Sequence, residues 1–124
     1  MENKIGILCY TTEEDTTIDE VGVITNKGYS TLIYRDIEPD ATGLSIVKGF
    51  IQSINKKDFT VEYVGDFKTN EDGNTVYVYA VDITSSRFSF ENFNLISISE
   101  VRNIKDAVFQ ASLFKLIQLN TSIL

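Results

Sequence analysis

The sequence predicts an α/β or α+β fold in which a mixed sheet lies between helices. Three observations lead there. Strand-like segments stand before, between and after two segments with helical spacing, an order that suits helices on both faces of a sheet. The strand segments are of two kinds, some apolar throughout and some alternating, as central and half-covered strands are. The 124 residues include eight Phe and six Tyr, enough large side chains for one sizeable core, so we expect one domain spanning 1–124.

Taken in order, Ile5–Tyr10 is apolar throughout and reads as a strand covered on both sides. Thr11–Asp19 is polar and acidic and reads as a loop. Val21–Thr25 and Tyr29–Tyr34 read as two strands joined at Asn26-Lys27-Gly28, a hairpin signal. Asp36–Gly43 holds the only proline, Pro39, and reads as a loop. Leu44, Val47, Phe50 or Ile51, and Ile54 then recur at helical spacing, which predicts a helix over about Thr42–Asn55 despite Gly49.

Phe59, Val61, Tyr63, Gly65 and Phe67 alternate with Thr60, Glu62, Val64, Asp66 and Lys68, the pattern of a half-buried strand. Asn70–Asn74 is a turn. Thr75–Ile83 is apolar on both faces, as a central strand is. Ser85–Asn94 is a loop carrying Phe88, Phe90 and Phe93, and Leu95–Ile98 a short strand. Ile104, Val108, Ala111, Leu113, Leu116 and Ile117 mark a closing helix that ends near Ile117, with Ser97-Ile98-Ser99-Glu100 as a capping box near its start.

Composition removes several functions. The net charge is −7 and the longest basic run is Lys56-Lys57, which disfavours nucleic acid, whose phosphates call for a basic face. The single cysteine, Cys9, lies in an apolar run and reads as an inert buried thiol. A nucleophilic cysteine would need a histidine base, and the chain has no histidine. No apolar stretch reaches the roughly 20 residues of a membrane span. Met1-Glu2-Asn3-Lys4 lacks a signal-peptide pattern, so a cytoplasmic protein without a membrane partner is expected.

One stretch carries a family resemblance. The run Thr25-Asn26-Lys27-Gly28-Tyr29-Ser30-Thr31-Leu32-Ile33-Tyr34-Arg35-Asp36-Ile37-Glu38-Pro39-Asp40-Ala41-Thr42 resembles, without a gap, the lead-in T-N-K-G-Y-W-T-L-P-K-G-D-I-E-P-G-E-T of one group of Nudix (MutT-like) hydrolases. The order of the later elements is similar as well, so the resemblance covers nearly the whole chain and implies an α/β/α sandwich. Active members carry G-x5-E-x7-R-E-U-x-E-E-x-G-U, with U aliphatic. Here the first Gly falls on Arg35, the first Glu on Ala41 and the Arg on Gly49. The three glutamates of the core fall on Phe50, Ser53 and Ile54; the aliphatic position is kept as Ile51 and the last Gly is Lys56.

In the family those glutamates hold divalent metal, and Mg²⁺ requires oxygen ligands in near-octahedral geometry. Phe and Ile offer none and a Ser hydroxyl is a poor replacement, so neither Mg²⁺ nor another cofactor is expected. The resemblance thus implies a Nudix-like protein without the family's catalysis, serving an interaction or regulatory role, with self-association as a homodimer or a protein partner. Two alternatives stay open: a nucleotide-binding module in the old cleft, and a divergent hydrolase with relocated carboxylates. For the first, Tyr34, Arg35, Tyr79 and Arg87 are the candidate ligand residues, with Tyr10 and Tyr29 as further aromatics, because aromatics stack on bases and Arg pairs with phosphate. For the second, Glu38, Glu91 and Glu100 are the candidates, although a helix-capping role is the commoner one for Glu100. Phe88, Phe90 and Phe93 are candidates for a contact surface, against the plainer reading that they pack under a folded-back loop. The acidic groups Glu13, Glu14, Asp15, Asp19, Glu20 and Glu71-Asp72-Gly73 read as a solvated loop and a turn before they read as metal ligands.

Overall fold

Strand β1 (Lys4–Thr12) is the axis of the sheet in the computed structural model, which describes residues 3–14, 17–69 and 73–121. Its side chains explain the position: Ile5, Ile7 and Cys9 are buried on one face, Leu8 and Tyr10 on the other. Along one edge β1 pairs in parallel with β6 (Thr75–Asp82) from Lys4↔Val76 to Tyr10↔Asp82. Its other edge is shared. Lys4–Ile7 pair with β4 (Ile33–Asp36), and Tyr10–Thr12 pair with β2 (Ile18–Asn26).

β1 and β2 therefore diverge, and the segment 29–36 fills the fork. β3 (Tyr29–Thr31) pairs with β2 and β4 pairs with β1, with Leu32 buried at the break. One strand was expected from Tyr29 to Tyr34; two partners of different direction split it. The turn Lys27-Gly28 has φ 50° and 82°, the double left-handed geometry of a two-residue hairpin turn. The expected loop over Thr11–Asp19 is shorter than that, because β1 runs to Thr12 and β2 begins at Ile18; Asp15 lies outside the described residues, as do Asn70, Glu71 and Asp72.

β5 (Val61–Lys68) forms the far edge of the sheet beside β6, and β7 (Phe93–Ser97) the opposite one, beside β2. The expected even alternation along β5 fails at a bulge between Tyr63 and Gly65. The extra residue reverses the facing of all that follows, so Phe67 packs with the buried Val64 on one face of the sheet while Tyr63, half exposed, lies beside Tyr79 on the other.

Helix α1 (Gly43–Ile54) falls where its spacing places it. Thr42 caps it by accepting from the Ser45 N–H at 3.0 Å, and Val47 and Ile51 are buried against Ile5, Ile7 and Val81. Helix α2 (Ala107–Thr121) covers the other face through Val108, Phe109, Leu113 and Leu116, while Ala111 and Ile117, expected in its buried stripe, face outward. Helices thus lie on both sides of a mixed sheet. The Ser97–Glu100 segment opens a 3₁₀ turn (Ile98–Asn103) instead of α2. The cap of α2 is Asp106, whose Oδ1 accepts from the N–H groups of Val108 (3.0 Å) and Phe109 (3.2 Å). Among the described residues no helix is long and apolar enough to cross a membrane.

Candidate functional site

β4 and the loop into α1 bring the motif-like segment alongside the helix. Arg35 leaves β4 on the α1 face, beside Asp36, and Glu38 follows in the loop. With Ser45, Ile46, Gly49 and Phe50 of α1 they line an open cleft of about 380 Å³. Asp36 is tied to Lys4 of β1 at 2.5 Å, and that ammonium holds its carboxyl below the usual range.

The floor of the cleft is packed. The Arg35 guanidinium lies 4.2 Å from the centre of the Phe50 ring and donates to the Tyr34 carbonyl at 3.2 Å. Phe90 meets Phe50 edge-on at 5.4 Å and stacks on Phe93 at 4.8 Å, and Phe88 meets Phe59 edge-on at 5.8 Å. Phe88 and Phe93 are only 8% and 7% exposed. This corrects the reading of Phe88 and Phe93 as a contact surface and fits the plainer one: the 83–92 loop folds Phe88 and the partly buried Phe90 inward onto Phe93 at the start of β7, which removes far more apolar area from water than a free surface would.

The other candidates separate. Tyr34 stands on the opposite face of β4 from Arg35; its hydroxyl donates to Asp106 Oδ2 at 2.7 Å, and burial together with that hydrogen bond raises its pKa. Tyr10 also packs on the α2 face, where burial and the charges of Asp82 and Glu62 push its pKa up to about 12. Tyr79 lies on the α1 face beneath Gly43, beside Tyr63 rather than on the cleft wall. Arg87 is bound to Glu20 of β2 at 3.0 Å, a carboxylate that also accepts from Thr11 at 3.2 Å. Tyr29 is exposed at the hairpin tip. Of the proposed ligand residues Tyr34, Arg35, Tyr79 and Arg87, only Arg35 lines the cleft.

The candidate relocated carboxylates separate too. Glu38 lines the cleft, Glu91 is exposed after Phe90, and Glu100 is exposed in the 3₁₀ turn packed on the α2 side. They do not form a ligand set, and among the described residues no three His, Cys, Asp or Glu gather as one.

The motif positions on α1 do not fit a divalent ion. Phe50 is held by Arg35 and Phe90, Ile54 packs on the core, and the Ser53 hydroxyl donates to the Phe50 carbonyl at 2.6 Å. No acidic residue occurs anywhere in Gly43–Ile54. Of the remaining motif positions, Ala41 precedes the cap and Gly49 opens the cleft. Sequence reasoning missed Asp106, although Asp before Ala-Val-Phe at a helix start was a legible cap signal.

No protein-family profile matches the sequence, and neither does any curated protein. Solved structures do match its fold. A MutT/Nudix family protein from Listeria innocua superposes with a TM-score of 0.74 at 10% identity, covering 99% of this chain and 98% of that one. A Nudix-family hydrolase from Clostridium perfringens gives 0.68 at 11% identity, covering 95% and 97%. The C-terminal domain of mouse MUTYH, in complex with human PCNA, gives 0.69 at 10% identity, covering 94% and 87%. The chain has the Nudix fold.

Proposed function

We propose that this Nudix-fold chain does not carry out metal-dependent hydrolysis and serves instead as a binding protein in an interaction or regulatory role, self-associating or engaging a protein partner. The observation that carries this reading is Phe50. It stands at the first glutamate position of the motif core and is clamped between the Arg35 guanidinium and the Phe90 edge. A ring held there leaves a divalent ion without oxygen ligands, and a bare ion against an apolar helix face is strongly disfavoured. A fold kept intact while the helix at the motif position is free of carboxylates suits a role that draws on surface and stability. The MUTYH domain solved with PCNA is a similar structure within a protein complex.

The test is calorimetric titration with Mg²⁺ and Mn²⁺, combined with light scattering on the purified chain. The expected results are no saturable metal site on α1 and a defined dimer or a captured partner. A strict monomer that captures no partner and binds a nucleotide tightly supports the second reading, a small-ligand module. That reading is favoured by one observation, the open 380 Å³ cleft with Arg35 on its wall.

A further inference from the structure

The bulge in β5 creates a constellation that lies apart from the cleft. Before it, Tyr63 pairs with Tyr79; after it, Gly65 pairs with Val78 and Asp66 with Tyr77. Residues 63 and 66 of a regular strand would face opposite sides of the sheet. The extra residue turns both toward the α1 layer, where Tyr77 and Tyr79 also lie. Gly65, at φ 157°, takes the backbone geometry that permits this. Two adjacent cross-strand pairs, Tyr63–Tyr79 and Asp66–Tyr77, therefore form a patch at the sheet edge.

The patch has two aromatic walls and a carboxylate. The Tyr63 and Tyr79 rings are 5.1 Å apart with their planes at 60°. Tyr63 is 50% exposed, Asp66 is exposed, and Tyr77 and Tyr79 are partly buried beneath them. Helix α1 begins against Tyr79, whose hydroxyl lies close to Gly43, and the next residue, Leu44, is 42% exposed. Burial and the nearby charges of Asp66, Tyr79 and Tyr77 all raise the pKa of Tyr63, as expected where these groups crowd together.

We propose that Tyr63, Tyr77, Tyr79 and Asp66 form a binding site for the alkylammonium or guanidinium side chain of a basic partner protein. The negative faces of aromatic rings attract an organic cation, and Asp66 adds a full opposite charge. The exposed Tyr63 ring covers the aliphatic stem of such a side chain. A net charge of −7 steers a basic partner toward this chain. The partner class rests on the interaction role proposed above. The site does not, because its test reads the tyrosines directly and is indifferent to hydrolysis.

The experiment is a titration of the intact protein, followed by NMR at the tyrosine ring resonances. The probes are capped tripeptides Gly-X-Gly with X as arginine, trimethyllysine or norleucine, and tetramethylammonium chloride. Arginine and trimethyllysine peptides are expected to shift Tyr63, Tyr77 and Tyr79 saturably, and the norleucine peptide is not. Tyr63→Phe should retain binding, Tyr63→Leu should weaken it about 3–10-fold, and Asp66→Asn should weaken it about threefold, all with dispersed, folded spectra. Equal binding of norleucine, an undiminished Tyr63→Leu variant, or no response to either cationic peptide would overturn the site. Equal affinity for tetramethylammonium and the peptides would overturn the protein partner in favour of a free small cation.

Discussion

Asp106 shows how much one side chain can hold. One carboxylate oxygen caps α2 at Val108 and Phe109, and the other accepts from the Leu32 N–H at 3.1 Å and the Tyr34 hydroxyl at 2.7 Å. The helix is thereby fixed to the break between β3 and β4. Asp106→Ala removes a cap and leaves the Tyr34 hydroxyl without its acceptor, so urea unfolding should show a loss of about 2–3 kcal/mol. Asp106→Asn, which keeps an acceptor oxygen, should lose less than half of that. Titration adds a second prediction. Burial pushes the Cys9 thiol and the Tyr10 phenol up to about 12, and Tyr34 rises as well. A group whose folded pKa is raised contributes stability that is complete below its unfolded value and fades as pH climbs toward the folded one. With no histidine to titrate, the melting temperature should change little between pH 6 and 8 and fall from about pH 9 upward. Thiol reagents should leave native Cys9 unmodified until unfolding begins.

At the scale of elements, α1 and β6 were legible because each repeats one physical signal along its whole length, a helical stripe in one and apolar residues on both faces in the other. The break at Leu32 and the bulge at Val64 were not. Both arise from which neighbour each strand meets, and that is fixed by distant residues. The residues at the motif-like positions on α1 were readable one by one; the aromatic packing around Phe50 was not, because Phe50 and Phe90 are 40 residues apart in the chain and meet only through the 83–92 loop. This packing predicts the cost of restoring the motif residue. Phe50→Glu exchanges the Arg35 cation–π contact for an ion pair and loses the Phe90 contact and packing of a partly buried ring, and thermal or urea unfolding should show a loss of about 1–2 kcal/mol. A variant as stable as the parent would mean that the ring contributes little to holding the cleft floor.

For the whole molecule, the fold is that of Nudix structures while α1 carries no carboxylate. The sheet and its two flanking helices are those of Nudix structures at 10–11% identity, while the residues at the motif core are an aromatic, a hydroxyl and an aliphatic. We propose that this replacement ends metal-dependent hydrolysis. The most direct measurement is phosphate or nucleotide release from a panel of nucleoside diphosphate derivatives at saturating Mg²⁺ and Mn²⁺. Release no faster than in the protein-free control is expected. Release that requires the metal and disappears in Glu38→Gln, the glutamate on the cleft wall, would contradict it and make the chain a hydrolase with a relocated carboxylate.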